Sequence, residues 1–211
     1  MAGLVPAIHV FHTGGAKKDV DARLKAGHDD GVKPQIPLIA TSPIFIKDPW
    51  PHAPERYQMS DNLSVRFVTR DDFDKWLPLW DGYNAFYGRS GPTALPRAIT
   101  DTTWSRFFDG YEPVHGLVAE SGGELLGLTH YLYHRSTTLI EPVCYLQDLF
   151  TAQAARGKGV GRALIERVYR EARAAGCPRV YWQTHETNAT ARLLYDKVAA
   201  HLGFIIYRKD V

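Results

Sequence analysis

Between positions 144 and 172 a bulky apolar run is followed by a glycine-rich turn and then by an amphipathic helical pattern, and few folds accommodate that order. Residues 144–150 read as a strand, closed by the polar stretch 151–156. Gly157, Gly159 and Gly161 then alternate with Lys158 and Val160. In the pattern that follows, Val160, Leu164, Val168 and Ala172 share one face, while Arg162, Glu166, Arg170 and Arg173 share the other. A glycine-rich turn feeding a helix aims several free backbone N–H groups, and the positive end of the helix dipole, at one point. That point suits a pyrophosphate.

Spacing separates the phosphate-binding turns that share this geometry. A P-loop needs four residues between its first glycine and a Gly-Lys-Ser/Thr, which is absent. A dinucleotide fingerprint needs two residues between its second and third glycines, whereas only Val160 separates Gly159 from Gly161. The pattern present is Arg156-x-x-Gly159-x-Gly161, with Asn188 and Tyr195 further along. It resembles the coenzyme A pyrophosphate loop of the GNAT superfamily of acyl-CoA-dependent N-acetyltransferases, and the likeness extends from about position 63 to the end. YLQDLF at 145–150 and VYWQTHETNATARLLYDKVA at 180–199 resemble the branch that includes histone- and polyamine-acetylating enzymes.

The remaining composition fits that likeness. A length of 211 residues suits one ordinary domain with a tail, and 45% hydrophobic with 23% charged residues suits a soluble globular protein. A net charge of +2 provides no basic excess for nucleic acid, and no apolar run reaches membrane-spanning length. Cys144 and Cys177 are the only cysteines, so a disulfide framework is not expected and a reducing, cytoplasmic compartment is. Residues 1–60 are different. Pro34, Pro37, Pro43, Pro49, Pro51 and Pro54 interrupt any periodic pattern, and disorder is expected. Their opening lacks a charged leading region and a cleavage site, and it resembles a leader found ahead of unrelated bacterial proteins. Met59, the only other methionine, is the expected true start, with the domain over 61–211.

Within that domain, 63–69 alternates as a strand. Asp71 or Asp72 offers an N-cap to a helix carrying Phe73, Trp76, Leu77, Trp80, Tyr83 and Phe86, with a kink expected near Pro78. A second helix is expected over 96–108, with Thr103, Trp104 and Phe107 inward. Residues 114–120 and 124–133, joined by Ser121-Gly122-Gly123, read as a hairpin. After the central strand and its helix come a strand over 179–183, a helix over 188–201 and a last strand over 204–208. The order β-α-α-β-β-β-α-β-α-β is that of the GNAT fold and predicts a mixed, twisted α/β sheet.

The resemblance also implies how substrates lie. The strands at 145–151 and 180–184 would splay apart to admit the pantetheine arm, with Leu149, Phe150 and Thr151 offering backbone groups. Gly157, Lys158, Gly159, Val160, Gly161 and Arg162 would hold the pyrophosphate, and Arg156 and Lys158 would add charge, although Lys158 equally suits a solvated surface. A free alkyl amine with a pKa near ~10.4 is neutral in only about one molecule per thousand at neutral pH, so a base helps. Asp148 is the candidate base; as an alternative it only orients substrate. Some polyamine-acetylating relatives carry Glu-Asp where this chain has Gln147-Asp148, and Gln147 cannot act as a base. The Leu149 N–H would serve the developing oxyanion. Tyr195 is implied as the acid that protonates the leaving thiolate, with packing beside Ala191, Leu194 and Val198 as its alternative. Asn188, seven residues earlier on the same helix face, suits a cofactor contact or an N-cap.

Trp76, Trp80, Tyr83, Tyr87, Trp104, Tyr131, Tyr133 and His134 are expected mostly in the core, with a few lining an amine cleft near Asp81, Glu112 or Glu141. His185-Glu186 reads as a structural pair, and nothing has metal-ligand spacing. The expected activity is direct acetyl transfer from acetyl-CoA to a primary amine of a small molecule, a polyamine or a lysine side chain of a peptide, without metal. Homodimerisation is plausible from the family. An acyl-CoA-binding regulatory module with little turnover is the alternative.

Overall fold

One mixed sheet with an apolar layer on each face organises the chain. The computed structural model describes residues 62–211; the extension over 1–60 and the start at Met59 lie outside them. The described elements are β1 (Ser64–Phe67), α1 (Phe73–Phe86), α2 (Arg97–Arg106), β2 (Val114–Ser121), β3 (Glu124–His134), β4 (Val143–Thr151), α3 (Val160–Ala174), β5 (Val180–Tyr181) and α4 (Ala189–Val198). The sheet order is β1-β2-β3-β4-β5. The first four strands are antiparallel, and β5 lies parallel to β4, as the expected mixed architecture requires. None of the described helices is long and apolar enough to cross a membrane.

The two sheet faces follow from the periodicity of the strands. Leu117, Ala119, Tyr131, Cys144 and Leu146 meet Val160, Leu164, Val168 and Ala172, the expected inner stripe of α3. Val118, Leu125 and Leu128 face the other way, onto Trp76, Leu79, Trp80 and Tyr83 of α1. Phe86, at the end of α1, is 55% exposed. Thr103, Trp104 and Phe107 are half-buried.

A bulge in β4 places the chemistry. Tyr131 pairs with Leu146 and His130 with Asp148, which leaves Gln147 as the extra residue. Cys144 and Leu146 therefore point to the α3 face, while Asp148 and Phe150 point to the α1 face. A regular strand would keep Leu146 and Asp148 on one side; the bulge reverses the alternation between them. Gly127 lets β3 approach closely here: a Cβ would lie 2.6 Å from the Phe150 carbonyl oxygen and 2.9 Å from Val160 Cγ1.

Two expectations at the C-terminal end are corrected. The strand expected over 179–183 is confined to Val180–Tyr181. The last strand, expected over 204–208, is not formed, and Phe204, Ile205, Ile206 and Tyr207 are 86%, 74%, 60% and 88% exposed. Bulky β-forming residues supply propensity, but a strand also needs a ladder partner, and no described strand pairs with this segment.

Candidate active site

The loop before α3 has the geometry its glycines predicted. Gly157 and Gly159 have φ of 75° and 82°, the left-handed region that glycine enters without penalty. Gly159 is the N-cap of α3, and the first intrahelical bond runs from Ala163 N–H to the Gly159 carbonyl at 2.9 Å. The N–H groups of Val160, Gly161 and Arg162 thus stand ahead of the helical ladder, turned toward the loop. Arg156 and Lys158 are exposed, and among the described residues neither pairs with a carboxylate; Arg162 lies 3.6 Å from Glu166. Gly161 also serves packing, since a Cβ there would meet Leu194 Cδ2 at 3.3 Å.

Beside β4, the edge expected to receive an acyl carrier is left unpaired by β5. Strand β5 pairs with β4 only at Cys144↔Val180 and Tyr145↔Tyr181, so the edge at Leu149, Phe150 and Thr151 has no β5 partner. The Phe150 ring is seated against α1 at Gly82, where a Cβ would come within 2.7 Å of its Cζ. Its backbone is what remains for a ligand. A bare N–H-rich helix start, unpaired cations and an open strand edge fit the diphosphate and amide groups of coenzyme A.

Asp148 sits at the buried end of a hydrogen-bonded series. It is 8% exposed, and its Oδ2 lies 2.9 Å from His130 Nδ1; His130 is 1% exposed. The other imidazole nitrogen, Nε2, receives the Trp76 indole N–H at 3.1 Å. An indole can only donate, so Nε2 accepts, Nδ1 carries the hydrogen, and His130 donates to Asp148. Trp76, Trp80 and Phe107 surround the imidazole, with ring centres 5.8, 5.3 and 4.6 Å away. The result fixes Oδ2 from one side, and the Tyr83 hydroxyl meets the same carboxylate.

Tyr195 lies on α4 beside Trp182, with ring centres 5.4 Å apart. Burial pushes its phenol up to about 12, the Tyr87 phenol adds to this, and the Thr184 hydroxyl opposes it. Asn188 Nδ2 donates to Thr184 Oγ1 at 3.1 Å, and the same hydroxyl meets Tyr195. Asn188 occupies the N-cap position of α4, yet its side chain makes no capping bond. Its side-chain partner is Thr184 instead.

Tyr83 and Tyr87 join these parts. Burial raises both phenols, and in each the Asp148 charge adds to the rise while Arg89 opposes it. Tyr87 is therefore within electrostatic reach of both Asp148 and Tyr195. Other expected site residues lie elsewhere or serve local structure. His185 Nδ1 meets Thr187 Oγ1 at 3.1 Å, Glu112 lies 3.5 Å from Arg106, and His134 Nε2 meets the Tyr181 hydroxyl at 2.8 Å. Among the described residues no group of three or more His, Cys, Asp or Glu could hold a metal. His130, Thr184 and Arg89 carry no motif in the sequence; only the central position of 124–133 in the sheet could have marked His130 as an inward-facing polar residue.

Known proteins resemble this chain over most of its described length. Residues 76–200 match the acetyltransferase (GNAT) family. The D-amino-acid N-acetyltransferase HPA3 of Saccharomyces cerevisiae is 36% identical over 159 residues, covering 74% of this chain and 96% of the relative. The uncharacterised N-acetyltransferase YhfO of Bacillus subtilis is 27% identical over 151 residues, covering 71% and 98%. Among solved structures, the acetyltransferase AAC(6')-Iy, in complex with a bisubstrate analogue of coenzyme A, superposes with a TM-score of 0.58 at 18% identity, covering 71% and 99% of the two chains. A family match over more than half the chain, and a relative matched along nearly its full length, place this enzyme in the GNAT family of N-acetyltransferases.

Proposed function

We propose that the protein transfers an acetyl group from acetyl-CoA directly to the primary amine of a small molecule, a polyamine or a lysine side chain. The observation that supports this reading is the edge of β4 left open by β5 next to Asp148, with Tyr87 bearing electrostatically on both Asp148 and Tyr195. Acetyl-CoA supplies the activated acetyl group. Asp148, oriented by His130 at Oδ2 and by the Tyr83 hydroxyl, takes the proton of the incoming ammonium. The amine nitrogen bonds to the carbonyl carbon to give a tetrahedral stage; the carbon–sulfur bond then breaks, and the second proton shed by the nitrogen restores the Tyr195 phenol through solvent while Asp148 releases the first. The Leu149 N–H stabilises the oxygen of the tetrahedral stage, and Tyr195 passes its proton to the departing thiolate. A phenol raised to about 12 is fully protonated at neutral pH and ready for that role. The yeast relative's name extends the candidate acceptors to amino acids.

The test is thiol release by the full chain with acetyl-CoA and a panel of amino acids, polyamines, lysine analogues, amino sugars and basic peptides. Release that depends on one amine class supports the reading. Binding of acetyl-CoA without release for any amine would replace it with a binding module. Homodimerisation belongs to the same reading and is supported by the exposed apolar run Phe204 to Tyr207, a strand-forming segment without a ladder partner. Sedimentation of the full chain against one lacking 203–211 would separate a dimer from a monomer.

A further inference from the structure

Arg89 is a held cation with nothing of opposite charge to hold. It follows the end of α1, where its Nε donates to Asn84 Oδ1 at 2.8 Å and its backbone N–H to the Asn84 carbonyl at 3.0 Å. Asn84 is itself 3% exposed and donates from Nδ2 to the Trp80 carbonyl at 2.9 Å, so the arginine is fixed to the interior of the helix. Its Cζ lies 5.8 Å from the Tyr83 ring centre and 5.3 Å from that of Tyr87. Among the described residues no carboxylate comes within 4.0 Å of it. Asp81 lines the same cavity of about 280 Å³, with Asn84, Ser90 and Gly91, without pairing to it.

A half-buried guanidinium whose Nε edge is tied down presents its two Nη groups as a fork, the geometry that matches a carboxylate. The Tyr83 ring runs from this fork toward Asp148, so one phenol separates a fixed positive group from a fixed negative one. An α-amino acid hydrogen-bonded at both ends spans roughly 6–9 Å from the accepting oxygen to the guanidinium carbon. Tyr83, with its ring centre 5.8 Å from Arg89 Cζ and its hydroxyl on Asp148, flanks both ends of such a ligand. A polyamine would instead bring a second ammonium up to Arg89.

We propose that Arg89 anchors the carboxylate of the acceptor, and that the acceptor is an α-amino acid held with its amine at Asp148 and its carboxylate at the guanidinium fork. This rests on the acetyltransferase reading and narrows its substrate class. The aromatic wall of Tyr83 and Tyr87 makes phenylalanine a fitting probe.

The experiment compares phenylalanine of either hand, phenylalaninamide and phenethylamine as acceptors for the full chain and for Arg89→Gln and Arg89→Lys. The amino acid is expected to exceed the amide and the amine at least about tenfold in kcat/KM. Arg89→Gln lowers the amino acid by roughly 10- to 100-fold, mainly through KM, leaves the two uncharged-end compounds within about twofold, and Arg89→Lys recovers part of the loss. Equal turnover of all three by the unmodified protein, or an equal fall for all three in Arg89→Gln, would overturn the inference while leaving the transferase standing. If none is acetylated, the transferase reading itself fails for these amines, and calorimetry decides the anchor separately. Phenylalanine binding that is lost in Arg89→Gln retains it, and absence of binding overturns it.

Discussion

Asp72→Asn tests whether one carboxylate ties the first strand to the first helix. Asp72 Oδ2 accepts the Thr69 backbone N–H at 2.7 Å, the Thr69 hydroxyl at 3.0 Å and Arg66 Nη1 at 2.6 Å, and its Oδ1 accepts Arg66 Nη2 at 2.9 Å. Arg66 Nε reaches on to Glu120 at 2.7 Å, so the cluster joins β1, β2 and the start of α1. The Arg66 guanidinium, helped by Thr69 and opposed by burial, holds the Asp72 carboxyl at about 2 instead of 3.8. A depressed carboxyl stabilises the folded state above its unfolded value, and that stability disappears as pH falls through the folded value. At ~1.36 kcal/mol per unit, the fall from 3.8 to about 2 corresponds to about 2 kcal/mol near neutrality. Urea unfolding of the two proteins from pH 7 down to pH 2 measures it. The Asn variant is expected to be about 1–2 kcal/mol less stable at pH 7, because a partly exposed Arg66 keeps Glu120, and the gap should close between about pH 4 and pH 2. A gap that does not change with pH would refute the linkage.

Further perturbations address the site. Gly127→Ala drives a Cβ to 2.6 Å from the Phe150 carbonyl, so melting should show a loss of about 1–3 kcal/mol and acetyl-CoA binding should weaken with the shifted strand. Gly159→Ala meets a φ of 82° at the α3 N-cap; a stability loss of about 1 kcal/mol and weaker acetyl-CoA binding by calorimetry are expected. His130→Phe fills the imidazole's space but removes the donor to Asp148, and should lower kcat roughly 10- to 100-fold while acetyl-CoA affinity stays unchanged. Trp76→Phe leaves His130 Nε2 buried without its donor and should cost about 1–3 kcal/mol of stability, read by urea titration.

What could be read from the residues alone was what local periodicity decides. The α3 stripe of Val160, Leu164, Val168 and Ala172, the hairpin of β2 and β3 and the glycine loop all depend on neighbours in sequence, and the structure has them as expected. The strand over 204–208 failed because a strand also depends on a partner elsewhere in the chain. The surroundings of Asp148 were hidden for a related reason. Its contact with His130 spans 18 positions, the Trp76–His130 bond spans 54, and the bulge at Gln147 sets the face on which they meet. Gln147 looked like a missing base; in the folded chain it is the residue that turns Asp148 toward His130. Helical spacing sets Asn188 and Tyr195 seven residues apart on one face, but the Thr184 hydroxyl that meets both belongs to the preceding segment. Arg89 followed a helix end with no motif around it, and its significance depends on Asn84 and the two phenols.

In the proposed direct transfer, Tyr195 supplies the proton for the leaving thiolate. Single-turnover thiol release by Tyr195→Phe, with acetyl-CoA affinity measured on the same preparation, tests it most directly. A fall of roughly 10²–10⁴-fold in the transfer step with affinity unchanged is the predicted result. Transfer at the unmodified rate with intact binding would contradict it and return Tyr195 to a packing role beside Trp182.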